Sequence, residues 1–248
     1  MKILICIDDT DNRESKGTGH LALRYAQEIE KNGWGIAEPI SRHQLFVHPE
    51  IPYTSHNSAM CFGVETTASS LERIIEFGGR FLSANSAPGS DPGLCVAVLN
   101  RLENKPRLIE FGLQAKKKVL AKDEAYELAA REPGVHLSEH GGTGSGVIGA
   151  LAGVGLRLSG NDGRFKGKYY PDRKGEILSV ETILSQTNIQ EVREENGRVL
   201  GKEEKIMLGE KVKSVLLDGK IVLLVEKNAG APGTARWITL GREKIRKY

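Results

Sequence analysis

Cysteine is scarce. The chain has three in 248 residues, at Cys6, Cys61 and Cys95, each inside an apolar run and none in a Cys-x-x-Cys pair. That spacing excludes a disulfide framework and a cysteine zinc site, and it fits a reducing cytoplasm. Long apolar runs are missing too: no stretch approaches the roughly 20 residues of a membrane span. The N-terminus passes from Met1-Lys2 straight into an apolar strand with no pattern of a cleavable signal. A soluble protein with no membrane partner is expected. Charge of one sign is weak: the net charge is +3 and the isoelectric point about 8.7. A dedicated nucleic-acid binder is expected to exceed about 9, so RNA stays open as a partner without being required. There is no internal repeat and no low-complexity tract. Glycine, by contrast, is abundant. It makes up 29 of 248 residues, well above the usual share of about 7%, which points to backbone that turns with positive φ or approaches a neighbour closely.

The apolar pattern alternates between strand and helix. Ile3–Ile7 is a short β-branched run that ends in acids, and Leu21–Ile29 repeats apolar residues at helical spacing. Strands are expected around Trp34–Val47, Ala59–Val64 and Leu94–Leu99. A helix is expected over Leu71–Leu82, entered through Thr66, Thr67 or Ser69 as cap, and another over about Leu108–Ala130. Val135–His140 is brief and extended before a glycine loop and a helix over Val147–Leu156. This alternation predicts an α/β or α+β fold. From about Gly160 the character changes and strands dominate, so the chain divides into a region 1–158 and a β-rich region 159–248. Asp218-Gly219, between Val212–Leu217 and Ile221–Val225, is a two-residue hairpin signal.

Three segments carry chemistry. In Ile7-Asp8-Asp9-Thr10-Asp11 three carboxylates follow an apolar strand within four residues. Such crowding is costly without a cation, and Mg²⁺ takes one or two carboxylates together with phosphate oxygens. The bland alternative is a solvated turn in which Asp8 or Asp11 caps the next element. Lys16-Gly17-Thr18-Gly19-His20 opens a helix, where free N–H groups and the helix dipole favour an anion, although the spacing is not that of a P-loop. Gly141-Gly142-Thr143-Gly144-Ser145-Gly146 opens the next. Continued through Val147-Ile148-Gly149 it contains a Gly-x-Gly-x-x-Gly at 144, 146 and 149, but the strand and the acidic residue that a dinucleotide fold requires do not follow. A nest of N–H groups for phosphate is one reading, close helix packing through Gly149, Gly153 and Gly155 the other. His43, His48 and His56 have no ligand spacing and are expected to be exposed loop residues; Lys116-Lys117-Lys118 is expected to be a solvated helix face.

Taken in order, Ile7-Asp8-Asp9-Thr10-Asp11, Ile51-Pro52-Tyr53 with Asn57, Asp91-Pro92-Gly93, and Gly144-Ser145-Gly146-Val147-Ile148-Gly149 continuing to Gly155 resemble the N-terminal catalytic region of the archaeal tRNA-isoleucine agmatinylcytidine synthetase (TiaS) family. The resemblance covers about residues 1–158. It implies a kinase-like nucleotide-binding domain with a ferredoxin-like portion, and ATP-dependent chemistry that replaces the cytidine C2 oxygen by agmatine. By the same resemblance, Asp8, Asp9 and Asp11 would hold Mg²⁺, and Asp8, Asp9 and Thr18 would be catalytic, Thr18 as phosphoryl acceptor. The glycine loop with Gly142, Thr143, Gly144, Ser145 and Gly146 would bind ATP by the same resemblance, while Lys16, Gly17 and Gly19 are expected to bind it through the helix entry itself, the glycines beside Thr18 being a departure from the family. The family's zinc ribbon has no counterpart here. The expected activity is therefore Mg²⁺-dependent ATPase or phosphoryl transfer, by a phosphotransferase or ligase-like enzyme, with RNA or a small molecule as acceptor. Two other classes fit the acids: a haloacid-dehalogenase-like phosphatase, because Asp9-Thr10-Asp11 mimics an Asp-x-Asp nucleophile motif, and a nonenzymatic nucleotide sensor. Thr18 has a plainer role open to it as a helix N-cap.

Overall fold

A computed structural model describes residues 1–51, 56–230 and 235–248. They form a mixed α/β structure of two compact units, residues 1–159 and 160–248. The Pro52 and Tyr53 of the family-like stretch lie outside the described residues.

The first unit runs β1 (Lys2–Asp8), α1 (Thr18–Lys31), β2 (Gly35–Ala37), β3 (Ser41–Gln44), β4 (Ser58–Thr66) and α2 (Ala68–Asn85). It continues through β5 (Gly93–Val98), α3 (Lys105–Ala115), α4 (Lys122–Ala130), β6 (Val135–Glu139) and α5 (Gly146–Ser159). Its strands lie in the order β6-β5-β1-β4, with β2 and β3 both along the far side of β4, and every one of these pairs is antiparallel. Alternation along β1 explains the layering. Ile3, Ile5 and Ile7 face α1 and α2, in a core with Tyr25, Ile74 and Phe81. Leu4 and Cys6 face the other way, against Leu108, Val147 and Leu151 of α3 and α5. Both faces are covered, so the strand reads as a continuous apolar run.

Three thiols share one level of this sheet. Cys6 on β1 is in register with Cys61 on β4 and with Cys95 on β5, and all three are buried and free. Burial pushes the Cys6 and Cys95 thiols well above their usual pKa, and the neighbouring Cys61 adds to both shifts. These two thiols therefore stay protonated and inert.

Two expectations for this unit need correction. The single strand predicted over Trp34–Val47 is two short ones. The N–H of Glu38 still donates to Gly63 O at 2.8 Å, but Pro39 has no N–H to continue the ladder. The single helix predicted from Leu108 to Ala130 is also two, α3 and α4, separated at residues 116–121. No glycine or proline marks that break. The chain leaves α3 with the N–H groups of Lys117 and Lys118 both on Gln114 O, Leu120 turns into the core, and Glu124 accepts from the N–H of Ala121 at 2.8 Å. The triple lysine therefore follows the C-terminal end of α3, where the helix dipole favours cations.

The second unit runs β7 (Arg164–Phe165), β8 (Ile177–Ser179), α6 (Val180–Gln186), β9 (Glu191–Glu194) and β10 (Lys205–Met207). β11 (Ser214–Leu217), β12 (Lys220–Lys227), β13 (Trp237–Thr239) and α7 (Arg242–Ile245) complete it. Its strands follow the order β7-β11-β12-β13-β10-β8, with β9 parallel to β12. Strands dominate, as the pattern after Gly160 predicts, and two short helices join them. Asp218 (φ 49°) and Gly219 (φ 72°) form the turn between β11 and β12, the positive pair that a tight hairpin requires. The core gathers on Trp237, Ile183, Ile206 and Val225. Among the described residues no helix is long and apolar enough to cross a membrane.

Candidate functional site

The alternation that sends Leu4 and Cys6 toward α5 sends Asp8 the same way. A Cβ on Gly149 would lie 1.6 Å from Asp8 Oδ2, and one on Gly153 would lie 2.4 Å from Cys6 Sγ. Four helical residues rise about 6 Å and two strand residues about 6.6 Å, so the two glycines match two successive inward positions of β1. The helix-packing role of Gly149, Gly153 and Gly155 is thus real. It also presses a carboxylate against the first turns of α5.

Asp8 is buried, 7% exposed. Burial pushes its pKa up to about 8, with the charges of Asp9 and Asp11 adding to the shift and the N–H of Asp9 opposing it. Asp9 rises to about 6 through burial first, then through the charges of Asp91 and Asp11, against a hydrogen bond from the N–H of Asp91. No basic side chain contributes to either shift. Asp9 takes φ 49°, a left-handed conformation that Asp tolerates better than most residues. The chain then runs beside the loop before β5, where Ala87 N–H donates to Thr10 O at 3.0 Å. The Thr10 hydroxyl is buried with no hydrogen-bond partner among the described residues.

Helix α1 begins at Thr18, and its N-cap is Gly17 at φ 85° rather than Thr18. The plainer role expected for Thr18 is therefore filled by its neighbour. Thr18 is buried, and its hydroxyl donates to Asp11 Oδ1 at 3.3 Å. Gly17 leaves room for the same carboxylate, since a Cβ there would lie 3.5 Å from Asp11 Oδ2. Of this loop, Gly17, Thr18 and Asp11 come together; Lys16 is exposed and stands outside the group.

The loop Gly141–Gly146 lies at the same end of the sheet, because β6 ends where β1 ends and β5 begins: Glu139 pairs with Gly93, and Gly93 with Asp8. Its N–H groups already hold an anion. Asp91 Oδ1 accepts from Thr143 N–H at 2.6 Å, and Asp91 Oδ2 accepts from the Thr143 hydroxyl. Gly146 N–H donates to Asp91 O at 3.1 Å, and the hydroxyls of Thr143 and Ser145 are 2.7 Å apart. Below the loop, Lys122 Nζ donates to Glu139 Oε2 at 3.1 Å and to Thr143 O at 2.9 Å. Asp91 and Lys122 are the residues that sequence reasoning missed as part of this site. Asp91 stands within the family-like Asp91-Pro92-Gly93, and that was the only signal for it.

The donors assembled here are hard oxygens, the kind that suit Mg²⁺. Asp8 and Asp9 draw no countercharge from the protein, and the Thr10 hydroxyl is unsatisfied, so the chemistry of the end of β1 fits a divalent ion shared with phosphate oxygens. Among the described residues no group of three or more His, Cys, Asp and Glu side chains is preassembled as a metal site. Two carboxylates, rather than a closed cage, are what the chain offers.

Of the three histidines expected to be exposed in a loop, one is not. His43 is fully buried on β3, with Nε2 2.7 Å from the Ser41 hydroxyl, which corrects the expectation of an exposed loop residue. Alternation on β3 turned it inward. His48 stacks on Phe46 at 5.5 Å, and His56 is exposed.

No family model matches the chain. It is 32% identical over 161 residues to an uncharacterized protein of Methanocaldococcus jannaschii, covering 62% of this chain and 50% of that protein. It is 28% identical over 177 residues to the isoleucine-tRNA 2-agmatinylcytidine synthetase TiaS of Archaeoglobus fulgidus, covering 71% of this chain and 40% of the synthetase. Among solved structures, TiaS in complex with an isoleucine tRNA and ATP matches with TM-score 0.56 and 25% identity, over 80% of this chain and 48% of that one. The chain spans half or less of each of these proteins. Over the part that it shares with them, the chain is TiaS-like.

Proposed function

We propose that the first unit binds ATP with Mg²⁺ at the end of β1 and transfers a phosphoryl group there, as part of an enzyme that modifies RNA. The observation that carries this reading is the crowding of Asp8 and Asp9, which no basic side chain neutralises, beside the first turn of α5, where Gly149 abuts Asp8, with Asp11 close by at the start of α1, where it meets Thr18. Helix N-termini attract phosphate, while Asp8 and Asp9 would repel it without a metal between them. Bound Mg²⁺ would supply the neutralising charge. The relatives add the substrate class: the TiaS structure is a complex with an isoleucine tRNA and ATP.

In this reading Asp8 and Asp9 hold the metal, and the α5 loop orients the phosphates. Asp91 keeps that loop folded through Thr143, and Lys122 does so through Glu139 and Thr143 O. Thr18 is the acceptor: its oxygen forms a bond to the γ-phosphorus as the bond to the leaving ADP oxygen breaks, and its proton passes to Asp11, 3.3 Å away. A threonine needs such a base to act as nucleophile.

The test uses ATP labelled at the γ or the α position, followed by peptide mapping of wild type and of Thr18→Ser and Thr18→Val. Transfer puts γ-label on residue 18 of wild type and, more weakly, of the Ser variant. Label on Asp9 with hydrolysis of simple phosphate esters would mark a phosphatase instead, and binding without turnover under any added RNA would mark a sensor.

A further inference from the structure

The positive charge of the chain is concentrated in the second unit. Residues 160–248 carry 18 Lys and Arg against 13 Asp and Glu, net +5, whereas residues 1–159 carry 17 against 19, net −2. Charge asymmetry between two parts of a chain points toward a polyanion, but it names no surface. Backbone pairing does. Several cations of the second unit are held by acids: Arg193 by Glu191 and Asp218, Lys244 by Glu226, Lys247 by Glu195. In the segment after β7 Arg173 is held by Glu176, and the lysines are not. Lys166, Lys168 and Lys174 are exposed, and neither they nor Lys211 make an ion pair among the described residues.

The backbone brings Lys166, Lys168 and Lys211 to one edge, and Gly175 N–H, donating to Leu208 O at 2.8 Å, sets Lys174 beside the chain that leads to Lys211. Tyr169 pairs with Val212 in an antiparallel bridge, its N–H donating to Val212 O at 3.3 Å. Lys213 Nζ donates to Gly167 O. The segment 166–169 therefore lies alongside 211–213, and lysines from both segments line the same margin. Aromatic rings are interleaved with them. The Tyr169 hydroxyl is 3.1 Å from that of Ser214, and the Arg173 guanidinium lies over the Tyr170 ring at 4.9 Å.

We propose that this edge binds the phosphodiester backbone of a single-stranded nucleic acid, with Lys166, Lys168, Lys174 and Lys211 on phosphates and the Arg173 guanidinium, stacked on Tyr170, beside a base. Unpaired cations interspersed with aromatic rings are the pattern of such grooves. An anionic membrane would call for apolar side chains among the lysines, and here the exposed neighbours are Gly167, Pro171 and Asp172, while Phe165 is buried. This surface is independent of the nucleotide site: it stands on charge and pairing in the second unit alone.

The experiment measures fluorescence anisotropy of the full chain with labelled RNA and DNA strands of about 20 nucleotides, at about 50 and about 200 mM salt. Wild type is compared with the triple variant Lys166→Ala, Lys168→Ala, Lys174→Ala, and with a control triple at paired cations, Lys202→Ala, Lys244→Ala, Lys247→Ala. The first triple should weaken binding at low salt about 10-fold or more and lower the log–log salt slope by about 2, at roughly 0.7 for each phosphate no longer neutralised; the control triple should leave both near wild type. Equal binding of RNA and DNA places the lysines on phosphates, and tighter binding of RNA adds the 2′-hydroxyl; both support the proposal. Equal weakening in the two triples overturns it, as does absence of salt-dependent binding by wild type or binding to phosphatidylserine vesicles in place of both strands. Thermal stabilisation by ATP with Mg²⁺, read on the same proteins, separates the two proposals: it should survive in both triples, and its absence counts against the nucleotide site while leaving this result intact.

Discussion

Glycine serves different ends in the two units. In the first, a Cβ on Gly149 would lie 1.6 Å from the Asp8 carboxylate, one on Gly155 1.9 Å from Leu108 O, and one on Gly93 2.2 Å from the backbone of Gly146. In the second, Gly201 and Gly241 would meet nothing within 4 Å, and Gly219 serves a turn. The first unit uses the missing side chain to bring α5 against β1 and α3, and the second uses it mainly at turns and in loops. An excess of glycine therefore says little until each position is asked what stands opposite it.

The contrast can be broken most directly at Gly155. Gly155→Ala forces α5 away from the rigid backbone of α3, and overpacking of this kind costs about 3 kcal/mol. Gly201→Ala should change stability by less than about 0.5 kcal/mol. Urea unfolding of both variants checks this, and equal costs would erase the distinction between the units.

The next effect is at the acids. ATP with Mg²⁺ at about 100 times its dissociation constant should stabilise wild type by about 2.7 kcal/mol, and ATP alone by less. Asp8→Asn should lose that gain and yet melt higher than wild type without ligand, because it removes a buried carboxylate that has no countercharge. Thermal shift with and without nucleotide measures both. A variant that kept the full Mg²⁺-dependent gain would remove Asp8 from the metal assignment.

In the second unit the corresponding test is Arg193, whose guanidinium meets Glu191 and Asp218. Arg193→Ala should cost about 1–2 kcal/mol, less than the loss of a fully buried pair, because Lys220 remains 2.9 Å from Glu191. Denaturant midpoints would report it.

The smallest expected effect is one of pH, and it belongs to the first unit, which holds all six histidines. His136 and His140 are bridged by Ser138, at 3.0 and 2.9 Å. Burial lowers both pKa values, opposed at His136 by Glu72 and reinforced at His140 by the charge of His136. The unfolded chain thus takes up these protons first. Their contribution to stability is present above about pH 6.5, the unfolded value, and is lost as pH falls from there through the folded values. His136→Asn with His140→Asn should flatten that slope in unfolding curves between about pH 7 and 5.

Local signals carried much of the architecture. The unbroken apolar run Ile3–Ile7 announced a buried strand, and Asp218-Gly219 announced its turn. The break between α3 and α4 was hidden because no glycine or proline marks it and the apolar residues continue through it. The inward turn of His43 depended on register with β4, which no local pattern contains. At the site, the three acids and both glycine loops were visible as segments. The hold of Asp91 on Thr143 was not, because it spans 52 residues of sequence and depends on β5 and β6 being neighbours.

The row of Cys61, Cys6 and Cys95 across the sheet gives the first unit a built-in reporter. The second unit has no cysteine at all. A thiol-reactive reagent reaches these sulfurs only when β4, β1 and β5 come apart, so the labelling rate of the untouched native chain follows the opening of that sheet alone. Mass spectrometry of the labelled protein would count zero or three adducts if the strands part together, and one or two if the sheet peels from an edge.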